Sequence, residues 1–458
     1  MENQNLILGN TISKLLDEKK YPTLRDILIT MNPSDLAGIF LELKEDRIPL
    51  LFRLLPKELA AETFVEMDPD AQELLIRGFS DSELKEVIDE LYIDDAVDLV
   101  EEMPANVVRR VLSQADPETR KSINELLKYP ENSAGSMMTT EYVTLRPEMT
   151  VGESILRIRR TGFDKETIYT CYVTENGRLA GLLTVKDLLL AKDDDELVRD
   201  IMEENVISVT TSTDQEEVAR MFAKYNFIAF PVVDNEERLV GIVTFDDAID
   251  VMEEEATEDM ELMGGMSPSE KSYRRSTVMD LFKQRIPWLL LLMISATFTG
   301  MIITSFETAL AAQVALTAFI PMLMDTGGNS GSQSSVTVIR AISLGELQFR
   351  DLPWVIWKEI RTAVLCGVVL AAVCFLKIMI VDRMLLSNEG ISMTVDLVVC
   401  LTLVVTVLMA KTIGAILPIG AKQLGFDPAV MSSPFLTTIV DALSLLVYFS
   451  IARALLGI

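Results

Sequence analysis

The chain has 458 residues and a formal net charge of −28, from 41 Lys/Arg and 69 Asp/Glu, with no histidine and four cysteines. The length suits several domains, and so strong an acidic bias argues against nucleic-acid binding, which wants basic patches. Without histidine there is no Ser-His-Asp or Cys-His catalysis, no HExxH zinc chemistry and no imidazole pH sensor. The charge is also uneven. Residues 285–458 hold ten basic and ten acidic side chains, so the whole negative charge belongs to residues 1–284, with 31 basic and 59 acidic. Such a half fits a soluble part that meets cations, beside the plainer reading of a solubilising surface. Cys171, Cys366, Cys374 and Cys400 form no CxxC pair and read as small buried hydrophobes. The start, MENQNLILGNTISKLLDEKK, lacks a basic segment ahead of a long apolar run, so the N-terminal half is expected in the cytoplasm.

Residues 1–130 read as short amphipathic helices. Apolar residues recur at helical spacing in Leu50–Leu55, Leu59–Met67, Leu74–Phe79, Leu84–Leu91, Val97–Met103 and Val107–Leu112. Asn32-Pro33, Pro56, Asp68-Pro69, Ser80-Asp81, Pro104 and Asp116-Pro117 punctuate them as caps or first-turn prolines. Helices this short cannot bury their faces alone, so a stacked superhelix is expected. Its C-terminal part carries acids expected to be exposed: Asp94, Asp95, Asp98, Glu101 and Glu102.

Residues 131–252 hold an internal repeat, in units 131–198 and 199–252. Tyr169–Leu189 and Ile228–Ile249 align Gly181 with Gly241, Thr184 with Thr244 and Asp187 with Asp247. Each unit reads as strand, polar turn, strand and a helix opened by Thr-x-x-Asp. The doubled G-h-h-T-x-x-D pattern resembles tandem cystathionine β-synthase (CBS) domains, α/β modules that often bind adenine nucleotides. The resemblance makes Thr184, Asp187, Thr244 and Asp247 candidate ATP contacts; by themselves the two threonines equally read as helix caps.

Residues 253–284 connect this part to the last. From Phe245 to Met263 the chain reads as one helix crowded with acids, including Asp246, Asp247, Asp250, Glu254, Glu255, Glu258, Asp259 and Glu261. Like charges at i, i+4 destabilise a helix, so this one wants counter-ions. Gly264-Gly265 and Pro268 end it, and a basic segment with Lys271, Arg274, Arg275, Lys283 and Arg285 follows.

Residues 285–458 hold five apolar stretches, roughly 286–306, 309–343, 354–381, 395–423 and 432–456. Each exceeds the about 20 residues that cross the hydrocarbon. Lys/Arg flanks favour a cytoplasmic N-terminus. The second stretch is odd. Asp325, Asn329, Gln333 and Thr337 recur at i, i+4, i+8 and i+12, with Arg340 three residues on, as one polar stripe. Gly327, Gly328 and Gly331 uncover backbone carbonyls and admit a close neighbour helix. In the last stretch Thr437, Asp441, Ser444 and Tyr448 form a second expected stripe. A carboxylate at mid-helix costs about 2.5–3.5 kcal/mol on insertion scales, which a cation site or a structural hydrogen bond offsets. Asp325 reads equally as a funnel acid or a packing partner, and Lys411 as a pore group or a counter-charge. Carboxylate, amide, hydroxyl and carbonyl oxygens suit Mg2+ or Ca2+. One Asp is too few for a dry site; a two-fold dimer would bring two copies of Asp441 together.

Taken together, the chain resembles the MgtE family of bacterial magnesium channels or transporters along nearly its whole length. The carrying motifs are T-G-G-N-x-G-x-Q at Thr326–Gln333, the F-D-P-A at Phe426–Ala429 and the intramembrane Asp441. The resemblance implies an all-α N domain, tandem CBS domains, an acidic plug helix and a five-helix transmembrane domain. It implies a homodimer in the lipid bilayer of the bacterial plasma membrane, with no catalytic activity. Its second and fifth helices would line one Mg2+ pore, with Asp441, Asn329, Gly328, Gln333, Thr437 and Asp325 along it. It also implies regulatory Mg2+ held by Asp94, Asp95, Glu216, Asp247, Asp250, Glu255, Glu258 and Asp259, closing the pore when cytoplasmic Mg2+ is high. Family members often have an acid where this chain has Asn226. The competing readings are transport of Co2+ or another divalent ion, and a membrane-anchored CBS nucleotide sensor.

Overall fold

The computed structural model describes residues 2–269, 273, 276–385, 392–431 and 433–457; Lys271, Arg274 and Arg275 of the expected basic segment lie outside them. The chain divides into two compact units, Met1–Met252 and Glu253–Ile458.

The first unit opens with short α-helices between Glu2 and Leu126. The punctuation read from the sequence starts them. The side chains of Asn32, Asp68, Ser80 and Asp116 each accept a hydrogen bond from a first-turn backbone N–H, and Ser80 with Glu83 closes a capping box. Their apolar faces merge in one core that includes Leu36, Phe40, Phe64, Leu75, Leu84 and Val97. One of these helices, Ile93–Glu102 (α1), corrects an expectation: Asp94 is buried, and only Asp98, Glu101 and Glu102 of its acids are exposed.

Two three-stranded sheets follow. In the first, β1 (Val143–Leu145) runs parallel to β2 (Thr170–Glu175), which pairs antiparallel with β3 (Arg178–Thr184). In the second, β4 (Val209–Thr210), β5 (Ala229–Val233) and β6 (Leu239–Thr244) repeat this order. The paired glycines have a shared physical cause. A Cβ on Gly181 would lie 2.7 Å from Met202 Sδ and 3.0 Å from the Glu203 carbonyl; one on Gly241 would lie 2.5 Å from Met138 Sδ and 2.9 Å from the Thr139 carbonyl. In each repeat an incoming strap crosses the sheet and bonds to it, through the bridges Leu182–Glu203 and Thr139–Ile242. The helix Phe245–Met263 (α2) starts directly from β6.

The second unit holds five long helices: α3 (Val278–Ser305), α4 (Ile320–Ser343), α5 (Leu352–Lys377), α6 (Met393–Gln423) and α7 (Ser433–Leu456). Among the described residues four stretches are long and apolar enough to cross a membrane, namely Val278–Ser305, Phe349–Leu385, Met393–Gln423 and Pro428–Leu456. The helix that falls short is α4, whose 24 residues carry the polar stripe. The expected uninterrupted second stretch is also corrected. A short helix, Glu307–Ala312, ends at Gln313, and a 3-10 segment, Val314–Phe319, intervenes before α4 opens with Pro321 in its first turn. Proline suits that position because its missing N–H has no partner to lose there. α4 packs mainly on α6 and α7, and α5 packs on α6.

Gly241→Ala is expected to destabilise the protein by about 1–3 kcal/mol through overpacking. The matched control is Gly152→Ala, whose methyl would meet nothing closer than 3.5 Å. Thermal unfolding of the two variants beside wild type checks this; equal midpoints would remove the strap as the reason for the glycine.

Candidate functional site

α4 has two chemically distinct sides. Gly327, Gly328, Ser330, Gly331, Ser334 and Ser335 are buried, whereas Asp325, Asn329, Gln333, Thr337 and Arg340 are exposed. The predicted stripe is therefore one continuous uncovered face. Asn329 Nδ2 donates to Asp325 Oδ1 at 3.0 Å, so neighbouring members of the stripe are bonded to one another. The glycine side closes on the other helices: a Cβ on Gly327 would lie 2.7 Å from Thr406 Cγ2 and 3.1 Å from Ser444 Oγ. Gly328 is buried against Thr437, not on the uncovered face.

On α7, Asp441 and Thr437 are half-buried, and Asp325 is the neighbouring charge that Asp441 feels. The second expected stripe stops there. Ser444 and Tyr448 are fully buried, and the Tyr448 hydroxyl donates to the Leu316 carbonyl at 3.0 Å. All four positions share one face of the helix, so the difference lies along its axis: Gly327 of α4 packs against Ser444, and the 3-10 segment covers Tyr448 at Leu316. Lys411 of α6 is buried, and points to Ser330 and Ser334 on the packed side of α4.

α2 carries the acids of both units. At its start, Thr244 and Asp247 cap the helix, the Thr244 hydroxyl donating to Asp247 Oδ2. In the first repeat Thr184 and Asp187 form the same capping box, with 2.6 Å between Thr184 Oγ1 and Asp187 Oδ2. Around Asp247 stand Asp94, Asp95, Asp246 and Glu166. Asp95 is pushed up to about 7 by burial and by the charges of Asp247 and Asp246. Glu166 rises to about 8 through burial and then the charges of Asp95, Asp247 and Asp246. Asp247 rises to about 6, chiefly by burial, against the lowering effect of the Thr244 bond. Asp94 is raised by burial and by Asp247. Glu166 and Asp246 enter this group only through the fold; no spacing in the sequence connects them to α1.

Within the second unit, α2 places Glu255 and Asp259 half-buried and Glu258 exposed. Burial, Glu255 and then Asp427 raise Glu258; burial and Asp427 raise Asp259, against a 3.1 Å bond from Ser343. Asp427 belongs to the F-D-P-A motif, and its role beside α2 went unread in the sequence. Asp250 is exposed, and Glu216 pairs with Arg220 at 2.6 Å. Asn226 ends the helix Gln215–Tyr225 in a left-handed conformation, φ 55°, which asparagine tolerates better than most residues. Among the described residues no three carboxylates already stand as a metal-holding group. The acids are gathered but not shaped into a coordination shell.

A bundle of long apolar helices, one of them with an uncovered polar face, joined to an acid-rich N-terminal part, fits a membrane transporter of cations. Residues 320–451 match the family described as a divalent cation transporter, residues 31–132 the MgtE intracellular N domain, and residues 134–194 and 198–254 the CBS domain. A magnesium transporter MgtE of Thermus thermophilus is 38% identical over 454 residues, 98% of each chain. The magnesium transporter MgtE of Bacillus subtilis is 34% identical over 441 residues, 96% of this chain and 95% of that one. Among solved structures, the cytosolic domain of the Mg2+ channel MgtE in complex with ATP is 40% identical with TM-score 0.51, covering 53% of this chain and 99% of that one. The chain belongs to the MgtE family of magnesium transporters. It is a multi-pass plasma-membrane protein and not an enzyme.

The raised carboxylates set a pH dependence. In the folded chain Asp95, Asp247 and Glu166 hold protons that the unfolded chain releases near 4, so raising pH from about 5 to 8 removes stability. Without divalent ions, the midpoint of thermal unfolding of the soluble half is expected to fall across that window. Mg2+ at pH 8 should restore it, and Asp95→Asn should flatten the slope. A midpoint that rises with pH in EDTA would refute this account.

Proposed function

We propose that the protein imports Mg2+ through a path walled by α4 and α7. The uncovered stripe on α4 carries the proposal, because a membrane helix leaves Asp, Asn and Gln uncovered only where water, an ion or another protein chain meets them. Asp441 is the selecting carboxylate, with Asn329, Gln333 and Thr437 as further oxygen ligands, Gly328 as a backbone contributor and Asp325 at the mouth. Few carboxylates face the path, so the ion travels with much of its water; Mg2+ keeps its hydration shell more tightly than Ca2+. A two-fold pairing of chains doubles the carboxylate and covers the stripe. All five long helices cross the bilayer in this reading, α4 included, its polar face being sheltered by the second chain.

The acids around α2 close the path. Bare, they repel; bridged by Mg2+, they attract, so the ion stabilises one arrangement over another. Asp94, Asp95 and Asp247 form one part of this sensor, Glu255, Glu258 and Asp259 the other, with Asp250 between them on α2 and Glu216 beyond it. The functional division follows: residues 1–130 and 131–252 sense, 253–284 connect and 285–458 conduct. ATP at the CBS pair, suggested by the ATP complex of the related cytosolic domain, would tune the sensor, with Thr184, Asp187, Thr244 and Asp247 as the residues to vary.

In liposomes, Asp441→Asn is expected to cut Mg2+ flux at least ten-fold while the protein still folds and inserts; wild-type flux would refute the path. Neutralising Asp247, Asp250 and Glu258 together should leave flux high at cytoplasmic Mg2+ levels that silence wild type, and unchanged inhibition would remove the sensor. Competition by Co2+ and Ca2+ in the same assay tests the choice of ion.

A further inference from the structure

Lys411 has no part in the path described above, yet it is the one lysine buried within the second unit's described residues, at 5% exposure. A buried ammonium in a membrane helix is costly unless its charge is met. Its Nζ lies 3.4 Å from the Ser330 carbonyl and 3.5 Å from Ser334 Oγ, at the long edge of hydrogen-bond range. Ser334, itself 3% exposed, passes the contact on: its hydroxyl donates to Glu359 Oε2 at 2.6 Å. The directions agree, since a hydroxyl can accept from an ammonium and donate to a carboxylate at once. A lysine of α6, a serine of α4 and a glutamate of α5 thus stand in one chain.

The backbone explains why water is kept out. One turn along α6, a Cβ on Gly414 would collide with the Gly331 carbonyl of α4. The helices touch almost backbone to backbone beside Ser330 and Ser334, and Lys411 lies under that contact. Asn329 and Gln333 immediately precede the two serines, so they share a turn of α4 with them but point to its uncovered face.

We infer that Lys411, Ser334 and Glu359 form a charge chain, buried at Lys411 and Ser334 and half-buried at Glu359, that fixes the rotation of α4 and so positions Asn329 and Gln333 on the ion path. Lys411 is a positioning residue here: it touches the back of the wall, not the ion. The inference rests on α4 being that wall, as proposed above. Two charges joined through a hydroxyl make a prediction that apolar packing does not. Removing Glu359 leaves the buried ammonium unmet, removing Lys411 leaves a half-buried carboxylate without its partner, and removing both relieves each.

The test uses the full chain in liposomes, with Mg2+ flux and its half-saturating concentration, plus thermal unfolding in detergent. Lys411→Met and Glu359→Gln are each expected to lower flux at least five-fold and shift half-saturation. The double variant should recover most of both losses, and Ser334→Ala should show the same change in smaller measure. Wild-type flux and half-saturation in Lys411→Met with no double-variant rescue of the unfolding midpoint, or losses that simply multiply in the double variant, would overturn the inference. If Lys411→Met does not insert, unchanged half-saturation in both Ser334→Ala and Glu359→Gln overturns it. Should the wall assignment alone be wrong, unfolding midpoints will still show the double-variant rescue while flux stays unmoved in all four.

Discussion

Uncompensated negative charge is the constraint on which this molecule depends. A carboxylate withdrawn from water needs a cation, a proton or a strong donor. Asp94, Asp95, Asp247 and Glu166 stand together, and the charges that act most on them are each other's. The largest charges acting on all four are acidic, so a cation from solution would relieve the crowding. An arrangement of that kind is stable in proportion to what it binds, and whatever it binds must also be released when it opens. α2 extends the same condition into the second unit, where Glu258 and Asp259 meet Asp427.

The membrane unit resolves a different conflict on one helix. α4 must pack tightly enough to hold a wall, and it must also leave polar groups uncovered. Glycine and serine take the packed side, where the close contact of Gly331 with Gly414 needs residues without bulk. Asp, Asn and Gln take the other. Because successive residues turn by about 100°, an alternation such as Gly328-Asn329-Ser330 serves both sides within a single turn. The same polar content keeps α4 below the apolarity of its four neighbours.

Much of this was legible in the sequence because it is local. Caps at Asn32, Asp68, Ser80 and Asp116, the doubled G-h-h-T-x-x-D and the i, i+4 stripe each need only neighbouring residues, and the structure forms them all. What escaped depends on distant segments. Asp94 sits in a helix of amphipathic pattern, yet packing covers it. Ser444 and Tyr448 continue a polar spacing on the same face as Asp441, yet Gly327 and the Leu316 segment cover that end of it. The break at Gln313 lies in a mostly apolar stretch, where a single glutamine gives hydropathy little boundary to find. Asp427 reads as a turn cap, which it is, accepting from the Ala429 N–H at 2.6 Å; its second neighbourhood beside Glu258 and Asp259 appears only in three dimensions.

Asp187 and Asp247 show how one capping geometry meets two different surroundings. Both are the third residue of a helix, and both take their cap bonds from threonine on Oδ2. The first repeat leaves Asp187 exposed, with its cap bonds facing solvent. In the second repeat the same geometry is partly buried and set among Asp94, Asp95 and Asp246. Since the cap occupies Oδ2, Asp247 is held in one orientation at the N-terminal end of α2 and meets its acidic neighbours through a fixed carboxylate. The helix end favours negative charge there, and the neighbouring acids oppose it. The cap therefore opposes, without cancelling, the rise that burial and neighbouring acids impose on Asp247, and an oriented carboxylate is what a divalent cation needs. The sensor would thus have required no new backbone, only acids gathered around a cap that the repeat already possessed.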